Sequence, residues 1–495
     1  MKTGQLISNS KWHPYLLIAV VLLSRLPFIF DGYGHEEDSY GLVVNAWQMH
    51  GTGHYMASRF PGHPFQEYIY LLIWNQPAWI WNLLSVLFSI IGVLAFYHAL
   101  KRIGMNHAME ATLMLAFTPL FFIAGTYTID YTWSLAFVLL SFSSLVNRKF
   151  VWCGILLGIA VGCRITSGVF IIPWAMLLFQ RMDLKTWFVW MLKISIPFAL
   201  IGVAMYIPAF LQYGTTFFDY SDQFPYPPMT KVIYKATIGV FGILGLVALI
   251  VVFTRWVTSR SKQVISAPQI FTPHRMVWVI IVVIALHVIS YLRLPQKAGY
   301  MLPVVPFVVL LVVMYTSKHI LRIATLIFLL SPFILGMNIT DDLRGSGDSG
   351  LSMKFNISGQ EISIDAARGP ALAEQQKRKN KMEYVSKVCD YLDSTTQNQI
   401  VVCGWWYNEL LVEQMHRPPD TLHTALVKIE FYQPCRALKL SAENYVETEK
   451  IGLGPRLDGH VPTCMIYYLP EQDLYNDQMF GQSCTDEIAE PFPIR

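Results

Sequence analysis

The sequence predicts an α-helical polytopic membrane protein of about eleven transmembrane helices, followed by a C-terminal extracytoplasmic domain of α/β or α+β type. Three observations carry that fold class. Hydrophobic residues make up 54% of the 495 positions and charged residues only 14%, and the mean hydropathy is positive. That balance belongs to membrane proteins rather than soluble globules. Apolar runs of about twenty residues, long enough to cross a bilayer, recur through residues 1–337 and stop there. Finally, the loops between them alternate in charge, as the positive-inside rule requires.

The first run, from about His13 to Phe30, carries Arg25 near its end and has no small-residue cleavage site after it, so it reads as a retained signal anchor. The spans centre on residues 14–30, 77–98, 107–124, 131–147, 150–163, 166–180, 187–210, 236–254, 276–292, 299–316 and 320–337. The pair at 150–163 and 166–180 is short enough to be one broken helix pair. With the N-terminus inside, the inner loops hold Lys101/Arg102, Arg148/Lys149, Arg181/Lys185, Arg255/Arg260/Lys262/Arg275 and Lys318/Arg322. The outer loops hold residues 31–76, Asp130, the 211–235 loop and residues 293–300. Within the third of these, the aromatic 217–226 segment reads as an interfacial belt or as the lining of a lipid entrance. The chain is thus expected in the cell (inner) membrane, with a transmembrane domain at 1–337 and an extracytoplasmic domain at 338–495.

From Asn338 onward long apolar runs disappear and charges multiply. Ala371–Asp393 is polar with helical period, placing Lys377-Arg-Lys-Asn-Lys381 on a solvated face. Gln399–Gly404 reads as a short buried strand, Trp405–Glu413 as a helix, and Ala425–Phe431 and Cys464–Leu469 as further strands. Cys153 and Cys163 sit in an apolar helix as packing residues. The other five cysteines (Cys389, Cys403, Cys435, Cys464 and Cys484) lie in the terminal domain. An oxidising exterior permits one or two disulfides there, and none of the five has metal-ligand spacing. A net charge of +4 spread over the whole chain does not suit nucleic acid. No G-x-x-x-x-G-K-[ST] loop is present, so cytosolic nucleotide chemistry has no cradle. An activated substrate would reach this chain through the membrane.

Chemistry-bearing residues gather in the first outer loop. Gly34-His-Glu-Glu-Asp-Ser-Tyr40 puts Glu36, Glu37 and Asp38 at a membrane–water boundary, and Ser58-Arg-Phe-Pro-Gly-His-Pro-Phe-Gln-Glu67 adds Arg59, His63 and Glu67. Carboxylates at such a boundary are costly unless they face water, a cation or a substrate. An ordinary solvated loop is the plainer reading of either cluster. Acid, Arg, His and a second acid within one loop favour a site. Arg164 lies between two apolar segments, where it either serves a ligand or snorkels to the interface.

A retained first helix followed by an acidic motif resembles the GT-C glycosyltransferases, in particular the branch containing the protein O-mannosyltransferases and the bacterial aminoarabinose transferase. Four stretches carry the resemblance: Glu36-Glu-Asp-Ser-Tyr40 with the helix running to Gly51; Gly53-His-Tyr-Met-Ala-Ser-Arg-Phe-Pro-Gly-His-Pro64; Gly154–Arg164; and Lys297-Ala-Gly-Tyr-Met-Leu-Pro-Val-Val-Pro306. It spans about residues 10–340. Where that family carries Asp-Glu or Asp-x-Asp, this chain has Glu-Glu-Asp, which leaves the main carboxylate open. The resemblance implies a GT-C-like transmembrane domain that moves a sugar from a polyprenyl-phosphate donor to a lipid, glycan or protein acceptor, in contact with membrane lipids.

Such transfer needs a base for the acceptor's proton and positive charge for the departing phosphate. Asp38 is the first candidate base, with Glu37 and Glu36 beside it. A divalent cation, Mg or Mn, is a candidate cofactor, with Glu37 and Asp38 as its ligands. Arg59, Arg164, Arg293 and Lys297 are the candidate phosphate holders, with Tyr300 beside Lys297. His63, Glu67 and Asp130 are further substrate-binding candidates, although His63 also fits an exposed turn, Glu67 a helix cap and Asp130 a wet loop. Two rival classes remain. A secondary transporter or flippase of envelope precursors would also have about eleven helices, and a non-catalytic scaffold would use the terminal domain for binding.

Overall fold

The computed structural model describes residues 11–179, 183–215, 226–258, 271–339, 350–357, 360–394, 398–403 and 407–417, together with four later strands between 427 and 493. The aromatic 217–226 segment falls almost entirely outside the described residues. Among the described residues, fifteen α-helices form the first part of the chain. They are α1 (His13–Arg25), α2 (Glu37–Thr52), α3 (Pro64–Leu71), α4 (Ala78–Arg102), α5 (Ala108–Ala116), α6 (Pro119–Ala124), α7 (Tyr131–Val146), α8 (Phe150–Cys163), α9 (Ile171–Leu178), α10 (Leu184–Tyr213), α11 (Met229–Ala236), α12 (Ile238–Thr258), α13 (Pro273–Arg293), α14 (Val305–Tyr315) and α15 (Lys318–Leu330). Among the described residues, α4, α10, α12, α13 and the stretch Ala298–Tyr315 are long and apolar enough to cross a membrane. Shorter apolar helices at His13–Phe28, Tyr131–Val146, Phe150–Cys163 and Ile165–Leu178 pack among them.

Several predicted spans are interrupted, and proline accounts for most of the breaks. The 107–124 span divides into α5 and α6 because Pro119 has no N–H to continue the ladder and biases Thr118 to an extended conformation. The 299–316 span enters through a 3₁₀ turn, Ala298–Val304, containing Pro303, before α14. The 166–180 span likewise begins as a 3₁₀ turn, Ile165–Phe170. The 320–337 span ends early, at Leu330, one residue before Ser331-Pro332; Gly336 and Met337 already belong to a strand.

The closest helix packing is between α8 and α10. Three glycines spaced by four, Gly154, Gly158 and Gly162, give α8 a flat stripe. A Cβ on Gly154 would lie 2.1 Å from the Ile194 carbonyl oxygen, and one on Gly158 2.8 Å from Ile201 Cβ. Such stripes let membrane helices approach backbone to backbone. This contact fixes the end of α8, where Arg164 emerges.

The later part of the chain holds two sheets and two helices. β1 (Gly336–Ile339), β2 (Ser352–Ile357) and β3 (Gln360–Asp365) form an antiparallel sheet in the order β1-β3-β2. After α16 (Pro370–Ser394), the strand β4 (Asn398–Cys403) is followed by α17 (Tyr407–His416). The remaining strands are β5 (Val427–Phe431), β6 (Cys464–Tyr468), β7 (Gln478–Ser483) and β8 (Ile488–Pro493), in the order β5-β4-β6-β7-β8. β4 runs parallel to β5 and β6, while β6, β7 and β8 are antiparallel. A parallel β4–β5 pair requires a crossover, and α17 lies within it. Cys153 and Cys163 are buried free thiols, and Cys389 is buried as well. The side chains of the other four cysteines lie outside the described residues.

One expectation for α16 needs correcting. The Lys377–Lys381 stretch is not a uniformly solvated face: Lys379 is exposed, but Arg378 and Lys381 are fully buried. Helix α16 lies across the loop before α2, and its period turns Arg378 and Lys381 inward while Lys379 faces out.

Candidate functional site

The acidic motif opens α2. Glu36 is the N-cap in an extended conformation, and Glu37 and Asp38 occupy the first turn, where the helix dipole favours negative charge. The helix stops at Gly53, whose left-handed backbone (φ 69°) lets its N–H bond the Met49 carbonyl. The chain then doubles back, and Glu67 pins the return. Its buried carboxylate accepts from Tyr55 Oη at 2.6 Å, Ser58 N at 2.8 Å, Ser58 Oγ at 2.7 Å and His63 N at 3.1 Å. That fold-back carries Arg59 and His63 over the start of α2.

Around Asp38 six charged side chains alternate in sign. Glu36 meets Lys297 Nζ at 2.8 Å, and Lys297 also meets Asp38. Asp38 pairs with Arg59, Arg59 pairs with Asp130, and Asp130 accepts from Arg164 Nη1 at 2.6 Å. The chain therefore reads Glu36, Lys297, Asp38, Arg59, Asp130, Arg164. Its members come from the α2 N-terminus, the α2–α3 loop, the end of α8, the residue before α7 and the residue before the Ala298–Val304 turn. Arg164, the extended C-cap of α8, lies over the rings of Tyr300 at 4.5 Å and Tyr131 at 4.9 Å. These cation–π contacts orient its guanidinium without supplying a counter-charge.

His63 closes one end. Its Nε2 accepts from Arg59 Nε at 2.9 Å, and its Nδ1 lies 2.6 Å from the Cys163 carbonyl, so the proton belongs on Nδ1. Burial lowers the imidazole to about 4, the nearby Asp130 carboxylate notwithstanding, so His63 is neutral at physiological pH. Burial raises the Asp130 carboxyl, but Arg164, His63 and Arg59 more than reverse that and hold it below the usual range. Glu36 behaves alike, its burial outweighed by Lys297, His35 and Arg59 together. Glu37 is different. Burial and the neighbouring Glu409 raise it to about 7, against the opposing pull of Lys297.

The later helices close over this loop. Glu374 of α16 pairs with His35, and Lys381 bonds the His35 carbonyl at 2.7 Å and pairs with Glu409 of α17. Arg378 donates to the carbonyls of Phe28 at 3.0 Å and Thr126 at 3.2 Å, and to Thr126 Oγ1 at 2.9 Å. Tyr127 Oη donates to Glu36 at 3.1 Å.

Of the residues singled out from the sequence, Glu36, Asp38, Arg59, His63, Asp130, Arg164, Lys297 and Tyr300 come together in one cluster. Glu67 supports the loop from behind it. Arg293 is exposed at the C-terminal end of α13 and enters none of the cluster's described contacts. Tyr127, Tyr131, Lys381 and Glu409 were not anticipated. Tyr127 and Tyr131 flank Asp130 in sequence, which was their available signal. Lys381 and Glu409 lie in polar helices whose placement over the loop no local pattern encodes. Among the described residues no three His, Cys, Asp or Glu side chains converge as a metal-binding set. The oxygens of Asp38 face Lys297 and Arg59, whereas the environment of Glu37 includes Glu409 and Lys381. These residues do not fit a Mg or Mn site as they stand.

Two solved structures share this arrangement of elements across nearly the whole chain. ArnT from Cupriavidus metallidurans bound to undecaprenyl phosphate aligns with a TM-score of 0.53 and 13% identity, covering 92% of this chain and 93% of that one. The chain has an ArnT-like fold. The same ArnT in its apo state aligns with a TM-score of 0.51 and 12% identity, covering 92% of each chain. ArnT is an aminoarabinose transferase of the GT-C type, so the GT-C-like architecture implied by the four sequence stretches is the architecture found. The ArnT-like fold and the apolar helices make this a multi-pass membrane protein. No family model matches the chain, and no curated protein sequence does.

Proposed function

We propose that this chain is a glycosyltransferase that moves a sugar from a polyprenyl-phosphate-linked donor to an acceptor on the extracytoplasmic face of the membrane. The single observation that carries the reading is the alternating charge chain centred on Asp38, set in an ArnT-like fold. Three cations there are held in balance by three acids, and a donor phosphate arriving among them competes for the cations. Lys297 and Arg59 are the two that also quench Asp38. Drawn to the phosphate, they would release the Asp38 carboxylate at the moment a substrate is present.

The acceptor hydroxyl oxygen then bonds to the anomeric carbon as that carbon's bond to the phosphate oxygen breaks. Asp38 takes the hydroxyl proton, and the lipid phosphate leaves with both bonding electrons, its charge met by Lys297 and Arg59. Arg164, turned by the two tyrosine rings and tethered to Asp130, keeps Arg59 in register. The clustering of these groups at one end of the helices, next to the later helices, supports transfer chemistry over mid-membrane transport.

The test uses the purified full chain with labelled undecaprenyl-phosphate sugar and a membrane lipid extract as the acceptor source. Movement of label from the donor lipid is expected. Asp38→Asn should abolish it while the protein still accumulates and still binds undecaprenyl phosphate. Full turnover in Asp38→Asn with Glu37→Gln inactive would move the base by one residue. Full turnover in both removes the mechanism.

A further inference from the structure

At the opposite end of α13 from the charge chain lies an apolar groove of about 700 Å³ between α9, α10 and α13. Twenty-one helical residues separate its mouth at Pro273 from Arg293, a length of about 30 Å or one hydrocarbon thickness. We propose that this groove is a binding site for an anionic phospholipid, distinct from the site where the donor would react.

Its walls suit acyl chains. Ile172, Met176 and Phe179 of the α9 segment face Met191 on α10 and Trp278 on α13. Ile172, Phe179 and Trp278 are exposed, at 46%, 52% and 52% of their surface. Trp187 forms a fixed side, with its indole N–H donating to the Ala175 carbonyl at 3.0 Å. The volume falls within the roughly 300–1,000 Å³ of ligand pockets, so the groove is more than a gap between packed helices.

Its mouth selects the headgroup. His274 and Arg275 line it from the first turn of α13. Lys185 stands in the first turn of the neighbouring α10. A cation in a first turn is opposed by the helix dipole, so Arg275 adds its charge to the positive N-terminal end of α13 beside the groove. Arg275 is exposed and makes no ion pair among the described residues. The acid at this end, Asp183, is occupied in capping Thr186 N at 3.1 Å. A lipid phosphodiester with no compensating cation of its own supplies what is missing, whereas a zwitterionic headgroup brings a positive charge against Arg275. Basic recesses between membrane helices take up anionic headgroups on the same physical grounds.

Native mass spectrometry of the full chain, offered phosphatidylglycerol and phosphatidylcholine in equal amounts, tests the proposal. Retention of one phosphatidylglycerol in preference to phosphatidylcholine is expected, with Arg275→Gln reducing that preference about fivefold, the effect of removing one interfacial cation. Lys318→Gln, which neutralises an exposed cation outside the groove, should leave it unchanged. Equal retention of the two lipids would overturn the assignment. So would an equal loss in both variants, which means diffuse surface charge, or displacement of phosphatidylglycerol by undecaprenyl phosphate, which would make the groove a seat for the donor's chain. None of these readings depends on transfer activity.

Discussion

At Asp130 a single buried carboxylate answers two guanidiniums, and that asymmetry sets the cost of changing it. Asp130→Asn leaves Arg59 and Arg164 without their shared counter-charge, and uncompensated buried charge costs about 3–5 kcal/mol. We expect the variant to melt well below the parent in detergent, with Asp130→Asn/Arg164→Met regaining part of the loss, as a double-mutant cycle would report. Glu37 gives the opposite kind of signature. Its carboxyl rises from an ordinary 4.5 to about 7, so the folded state holds the proton more tightly than the unfolded chain. That contribution is complete below pH 4.5 and lost as pH rises through 7. Glu37→Gln should therefore flatten the fall in melting temperature between those pH values and leave the variant more stable than the parent at pH 8, by no more than about 3 kcal/mol. The three acids were legible in the sequence as a costly boundary cluster. Their division into paired and unpaired members was not, because it depends on Lys297, Arg59 and Glu409, which only the fold brings near.

Among the elements, α8 shows how packing determines where a functional group emerges. Ordinarily Gly→Ala within a helix stabilises by about 0.5–1 kcal/mol. At Gly154 the new methyl would meet the Ile194 carbonyl oxygen at 2.1 Å, whereas at Gly168 the nearest atom is Val161 Cγ2 at an ordinary 3.4 Å. Gly154→Ala should thus lower stability by about 1–3 kcal/mol and, by tilting α8, reduce transfer through a displaced Arg164; Gly168→Ala should do neither. Thermal melting and turnover measured on both variants would separate packing from chemistry, and equal behaviour would contradict it. The glycine-rich stripe and its terminal Arg were visible in the sequence. The proline breaks in α5–α6 and before α14 are invisible to hydropathy, because a twenty-residue window averages across a single missing N–H.

Across the whole molecule, the later helices act as a cover bonded to the acidic loop. Lys381 is the central tie, fully buried, paired with Glu409 and bonded to the His35 carbonyl. Removing its charge breaks the buried pair with Glu409, so Lys381→Met should destabilise the protein and loosen residues 35–38. Hydrogen exchange at the start of α2 should then rise before global melting; unchanged protection there would mean that the cover is passive. The composition changes at Asn338, and β4, α17, β5 and β6 follow the sequence pattern within three residues at each end. The burial of Arg378 and Lys381 was hidden because a basic helical face looks the same in sequence whether it meets water or carbonyl oxygens.

The distance in sequence between Asp38 and its partners has a consequence for biosynthesis. The acidic loop is made early, but Lys297 follows about 260 residues later, and Lys381 and Glu409 later still. At roughly 5–20 residues per second, the loop waits tens of seconds with its carboxylates held only by Arg59 and water. By the mechanism proposed above, a half-made chain would lack one of the two cations that meet the leaving phosphate, and it would become competent only once Lys297 is in place.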